Sequence, residues 1–484
     1  MNSRSSRLVF LQAVGVLTAV ASVGPLVSAT TSSPRYAVRG ATIHTAAGAP
    51  IANGTIVMRG GLIEAIGPGV TVPNDAVVID GSGLHVYPGL IDMASSAPFA
   101  TDEAPADAGR GGFGGGGGRG GGGGAAQFAN REEAERAKRA SLLRPDYLAA
   151  ANLVGDNAQL TALASAGVTT VLAVPNSGIF KGQSALVNVI LPPDDPQISN
   201  VGDYRKGLAV IKSPVASHID MAGRGGGPGY PQALLGTIAF TKQGLHDAQW
   251  QRQARAFIDR GGSGPRPVIE PPLDALGPVL DRRIPAAFDA NEARQIDRAL
   301  ELAREFNLDP IIVGGTGAAS RTAELLAAKA RVVLSLNFPT AQAGGGGRGG
   351  RGGGGGSPSL QQLKNQEEAP TVAAALAAAG VPFAFMSGGA SPADFVRNAG
   401  RAVRDGGLAA DEALEALTIG AARMAGADNR TGSLEAGKIA NVVVTSGEIL
   451  DGGQVRHVFI DGYPVHVEPP APTQGGRRGG GGGR

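Results

Sequence analysis

The chain has 484 residues, of which 42% are hydrophobic, and a formal net charge of +2. That apolar content can form a sizeable core, and the balanced charge excludes bulk attraction to nucleic acid or to an acidic partner. There is no cysteine, which excludes disulfides, thiolate metal sites and a lipid-modified cysteine.

The chain opens "MNSRSSRLVFLQAVGVLTAVASVGPLVSATTSS". Arg4 and Arg7 precede an apolar stretch from Leu8 to Val27, and Val27-Ser28-Ala29 supplies the small residues that signal peptidase requires. This order predicts a signal peptide over residues 1–29, cleaved after Ala29, and a periplasmic or secreted protein. The alternative is an uncleaved membrane anchor. Gly15, Gly24 and Pro25 weaken a spanning helix. No other apolar run is long enough to cross a bilayer, so no membrane contact is expected after cleavage.

Residues 36–87 alternate short β-type runs with glycine turns, as in "YAVRGATIHT" and "GTIVMRGGLIEAIG". The same texture returns over 431–467, so the two ends are expected to pair into one small β-sandwich domain. The middle, 88–430, alternates strands and helices and predicts a β/α barrel. "VTTVLAV", "PAAF", "PIIVGG", "RVVLSL" and "VPFAFMSG" read as strands. In the helix after "PAAF", Ile296, Leu300, Ala303 and Phe306 recur at helical spacing. Ser391-Pro392-Ala393-Asp394 reads as an N-cap followed by Pro at the first helical position.

Of the 77 glycines, most of the excess lies in tracts near 109–124, 223–229 and 344–356 and in a Gly/Arg tail within 468–484. Scattered arginines resemble RGG segments that contact RNA. The tracts have almost no interleaved aromatics apart from Phe113, so flexible insertion and a disordered tail are the preferred reading and nucleic acid is not an expected partner.

Two separated stretches resemble the amidohydrolase superfamily, in particular its exported imidazolonepropionase-like branch: "YAVRGATIHTAAGAPIANGTIVMRGGLIEAIGPG" with "VIDGSGLHVYPGLIDM", and "ALEALTIGAARMAGADNRTGSLEAGKIANVVVTSGEILDGGQVRHVFIDGYPV". The resemblance implies a metal-dependent-hydrolase β/α (TIM) barrel plus composite β-sandwich. It also implies hydrolysis of a non-peptide or cyclic C–N bond by hydroxide on one or two divalent metals such as Zn. That chemistry needs nitrogen and carboxylate ligands.

At the positions matching the family's ligands the chain carries other residues. The His-x-His pair after "PGLID" falls on Ala94 and Ser96. A middle-strand ligand falls on Asn188 after "KGQSALV", the fifth-strand His near Asp289, the sixth-strand His near Gly314 and the eighth-strand Asp near Gly388. Ala cannot ligate, and a neutral Ser hydroxyl is a poor ligand for a borderline metal. No metal or other cofactor is therefore predicted.

The remaining candidates do not rebuild a metal site. His44, His85, His457 and His466 fall in the small β domain, and His218 and His246 lack ligand spacing. Asp289 is read as a helix cap with Glu292, with a relocated carboxylate as the alternative, and Asp92 as a structural hydrogen-bonder. Ser95, Ser96 and Ser387 lack a base with which to act as nucleophiles.

The expected function is a catalytically degenerate family member acting as a binding or partner module. The alternative is an active C–N hydrolase with a non-standard site using Asp289, Ser96 or a histidine, His218 or His246, of the stretch at about 195–280 where the resemblance is weakest. A pocket of Ser96, Asn176, Ser177, Asn337 and Ser387 suits a small neutral ligand. A homo-oligomer, or a hetero-oligomer with an intact amidohydrolase, is the other partner expected.

Overall fold

Both ends of the chain supply strands to one sheet, and the strands between them build two more. The computed structural model describes residues 34–99, 130–155, 158–189, 204–205, 208–221, 230–231, 233–339 and 360–467. The signal-type segment and all four glycine-rich tracts lie outside the described residues.

In chain order the strands are β1 Arg35–Ile43, β2 Ile51–Arg59, β3 Leu62–Pro68, β4 Ala76–Asp80, β5 His85–Pro88 and β6 Leu90–Ser95. There follow β7 Val168–Ala173, β8 Phe180–Gln183, β9 Ala185–Asn188, β10 Tyr204–Arg205, β11 Leu208–Lys212 and β12 Ser217–Asp220. The last are β13 Ala286–Ala290, β14 Pro310–Gly314, β15 Arg331–Ser335, β16 Phe383–Met386, β17 Val442–Thr445, β18 Val455–Ile460 and β19 Tyr463–Val465.

The first sheet has the order β19-β18-β17-β5-β1-β2-β3, with β4 also paired to β1. The β2–β3 hairpin turns on Gly60-Gly61, both at positive φ, the conformation a two-residue hairpin loop requires. Gly61 also lies against Asp461, so the β3 edge comes round to meet the β18–β19 turn. The result is one curled eight-stranded sheet around Val38, Ile43, Ile56, Met58, Val86, Leu434, Val442 and Phe459. The strands of the expected composite β-sandwich thus lie in one continuous sheet built from both ends of the chain.

The second sheet runs β10-β11-β9-β7-β6 and the third β16-β15-β14-β13-β12-β8. β12 to β16 are all parallel neighbours, as strand–helix alternation requires. The helix Ala293–Glu305 buries Ile296, Leu300 and Ala303, with Phe306 just beyond its end. Strand periodicity sends Ala287, Ile311, Val333 and Ala384 into one apolar cluster with Ile91, Met93, Leu172, Leu186 and Ile211 of the second sheet. The two sheets therefore enclose a common interior.

No strand ladder joins them among the described residues, so the expected closed β/α barrel is corrected to two sheets sharing a core. The physical reason lies in β6 and in the β8–β9 segment. The β6 register with β7 is interrupted twice, between Leu90 and Ile91 and between Asp92 and Ser95. Facing β16, a side chain takes the place of a backbone ladder: Asp92 Oδ1 accepts the Ser387 N–H at 2.9 Å. At the other junction the chain breaks at Ser184, so that β8 pairs with β12 and β9 with β7. No helix among the described residues is long and apolar enough to cross a membrane.

Candidate functional site

A cavity of about 780 Å³ opens where the C-terminal ends of the strands converge. Period-two alternation places it: Asp289 lies on the same face of β13 as Ala287, and Ser335 on the same face of β15 as Val333, each one step beyond the shared core. The position suits a ligand site, because strand ends carry side chains that loops can vary without disturbing the core.

Of the six positions expected to correspond to family ligands, Ala94, Ser96, Asp289, Gly314 and Gly388 line this cavity together. Asn188 does not. β9 runs antiparallel to β7, pairing Asn188 with Thr170 and Ala185 with Ala173, so Asn188 sits at the end of β7 remote from the mouth. There its Oδ1 accepts hydrogen bonds from Asn441 Nδ2 at 2.8 Å and Thr170 Oγ1 at 3.2 Å, tying the second sheet to the curled sheet. Of the expected pocket, Ser96, Asn176 and Ser387 line the cavity. Ser177 and Asn337 do not. Asn337 is exposed and donates to the Gly388 carbonyl at 3.0 Å, which braces the rim from outside.

Asp289 does not cap the following helix. Glu292 is the N-cap, and Gln295 Oε1 accepts the Glu292 N–H at 3.0 Å. The Asp289 carboxylate instead pairs with Lys181, a residue the sequence reading passed over. Both side chains line the cavity, 24% and 12% exposed respectively. The antiparallel pairing of β8 with β12 carries Lys181 to the mouth. Its signal was the first letter of "KGQSALV", whose end supplied Asn188 instead. The pocket is thus not wholly neutral: it holds one ion pair among neutral polar groups.

A serine–histidine contact also escaped the sequence reading. His218 Nε2 and Ser184 Oγ are 3.0 Å apart. Both are buried, neither lines the cavity, and Ser184 Oγ also accepts the Ala216 N–H. Burial, with Lys181 nearby, pushes the His218 pKa down to about 3 and keeps the ring neutral. The pair is a structural clasp between β8 and β12, since substrate has no access to it. Of the other histidines, His44 and His85 contact each other at 3.0 Å in the curled sheet, and His246 packs edge-on against Phe306.

Asp92 is fully buried beneath the rim, with Oδ1 accepting from Ser387 and Ala94 and Oδ2 lacking a partner. Burial raises its pKa to about 6 against the lowering effect of these hydrogen bonds.

The residues present do not fit a divalent metal. Among the described residues, Asp289 is the only carboxylate lining the cavity, and it already faces an ammonium that repels a cation. Two of the positions also resist a side chain. Gly314 and Gly388 are both at positive φ, and a Cβ there would meet Asn291 Oδ1 or Ser335 Oγ, which would have to turn aside. Among the described residues no group of three or more His, Asp or Glu is placed to hold a metal ion.

A sequence model of the amidohydrolase family matches residues 351–465. The whole fold is similar to that of an amidohydrolase from Thermotoga maritima, at 22% identity over 89% of this chain and 99% of that one, with a TM-score of 0.66. It is also similar to a prolidase complexed with N-methylphosphonate-L-proline, at 18% identity over 89% of this chain and 99% of that one, with a TM-score of 0.50. No curated protein matches the sequence. The family model thus matches less than half of the chain, and the likeness to these solved structures is one of fold.

Proposed function

We propose that this protein binds a small polar ligand in the cavity at the strand ends and does not perform metal-dependent C–N hydrolysis. One observation carries the reading: among the described residues, the only carboxylate lining the cavity, Asp289, is held by the Lys181 ammonium, so no acidic ligand is free for a cation. The other polar groups there are amides and hydroxyls, which suit hydrogen bonding to a ligand rather than activation of water.

Kinship with the imidazolonepropionase-like branch, export to the periplasm and a homo- or hetero-oligomeric role complete the proposal. The motifs around "PGLIDM" support the first, and the basic, apolar and small-residue order of residues 4–29 supports the second.

The test is metal analysis of protein purified after exposure to Zn²⁺ and Mn²⁺, combined with assays on a hydantoin and on dipeptides. Sub-stoichiometric metal and no turnover are expected. One equivalent or more of metal, with turnover abolished by chelation, would overturn the reading.

A further inference from the structure

We propose that the cavity selects an α-amino-acid zwitterion, with Lys181 facing its carboxylate and Asp289 its ammonium. The inference rests on the binding role proposed above and names the ligand class.

Among the described residues, the Lys181–Asp289 pair is the only pair of opposite charges lining the cavity. Ser96, Asn176, Asn291, Ser335 and Ser387 are neutral. A ligand with one net charge meets one attractive and one repulsive pole at nearly equal distance. In a partly desolvated site the two nearly cancel, leaving the cost of stripping water from the ligand's charge. A zwitterion meets both poles favourably, head to tail, and closes a four-charge ring without separating the existing pair. An uncharged amide can bridge the poles only through weaker neutral hydrogen bonds.

Geometry narrows the class further. Lys181 and Asp289 are in direct contact, so the two ligand charges must be close together. The amino nitrogen and carboxylate of an α-amino acid lie about 3 Å apart, whereas the termini of an extended dipeptide are separated by roughly 4 Å more, the Cα–Cα step. A dipeptide therefore reaches one pole at a time. The cavity also has apolar walls, Ala94, Ala162, Leu163, Val174 and Met386, on which an apolar side chain can rest.

Calorimetric titration of the full chain with seven probes tests this: L-leucine and L-phenylalanine, their decarboxylated amines 3-methylbutylamine and phenethylamine, their deaminated acids 4-methylpentanoate and 3-phenylpropanoate, and leucyl-leucine. At least one amino acid is expected to bind about 10-fold or more tightly than its amine, its acid and the dipeptide. Lys181→Met and Asp289→Asn, each checked for native circular dichroism, are expected to remove that preference. The wild-type comparison decides the matter even if a variant fails to fold. An amine, an acid or the dipeptide binding as tightly as the amino acids overturns the inference, and so does silence from both amino acids. A neutral probe such as 2-pyrrolidone binding where amino acids do not would overturn this inference and leave the binding role standing. Stoichiometric metal with turnover would overturn the binding role itself.

Discussion

The buried carboxylate of Asp92 accepts the backbone N–H of Ser387 at 2.9 Å, across the junction where the β6 and β16 backbones do not pair. A side chain 295 residues distant in sequence from its partner thus joins the second sheet to the third, directly beneath the rim of the cavity. The same carboxylate accepts the Ala94 N–H at 3.2 Å, so it also holds the β6 end that carries Ala94 and Ser96.

Asp92 and His218 oppose each other in their effect of pH on stability. The folded pKa of Asp92, about 6, lies above its ordinary value of 3.8, so the native state binds the extra proton between them. Its contribution is largest below about pH 4 and is lost as pH rises through 6. The folded pKa of His218, about 3, lies below its ordinary 6.5, so the unfolded state binds more protons there, and stability falls as pH drops from 6.5 towards 3. Each slope has a magnitude of about 1.4 kcal/mol per pH unit, and the two cancel between about pH 4 and 6. Asp92→Asn is expected to unmask a steep loss of stability on acidification across that window, and His218→Gln a gain. Urea unfolding at half-unit pH steps would show it. A variant profile parallel to wild type from pH 4 to 6 would contradict the assignment of the residue replaced.

Restoring family-type residues at the mouth is expected to harm the fold without creating a metal site. Gly314→His and Gly388→Asp each place a Cβ into Asn291 Oδ1 or Ser335 Oγ and force a side chain into left-handed backbone. Each is expected to cost about 1–3 kcal/mol, chiefly backbone strain. Denaturant unfolding with parallel metal analysis measures both effects. A variant as stable as wild type that takes up one equivalent of Zn²⁺ would show that these positions accept a side chain.

Asn188 is expected to matter for stability and not for the cavity. Asn188→Ala removes the acceptor shared by Asn441 Nδ2 and Thr170 Oγ1, leaving Asn441 Nδ2 only its bond to Thr170 Oγ1, which is expected to cost about 1–3 kcal/mol. Ligand affinity per folded molecule should be unchanged, because the residue lies at the opposite end of β7 from the mouth. A selective fall in affinity with stability intact would return Asn188 to the site.

The sequence by itself determined what depends on near neighbours in the chain. The Ser391 cap was legible because its hydroxyl accepts the N–H of Asp394, three residues on. The buried stripe of Ile296, Leu300 and Ala303 was legible because helical spacing brings residues three and four apart onto one face. The mouth positions of Ala94, Ser96, Gly314 and Gly388 were legible because each lies in the last residues of a recognisable strand or just beyond it. Only tertiary structure decided the rest, because it depends on strand direction and on partners far apart in the chain. The break at Ser184 sends β8 to one sheet and β9 to the other, which carries Lys181 to the mouth and Asn188 away from it. Asp289 has the capping spacing to Glu292, yet an ammonium 108 residues away outbids the helix N-terminus for its carboxylate. Two sheets sharing one core are indistinguishable in their strand pattern from a closed barrel. What separates them is whether the last junction is made by backbone or, as here, by the side chain of Asp92.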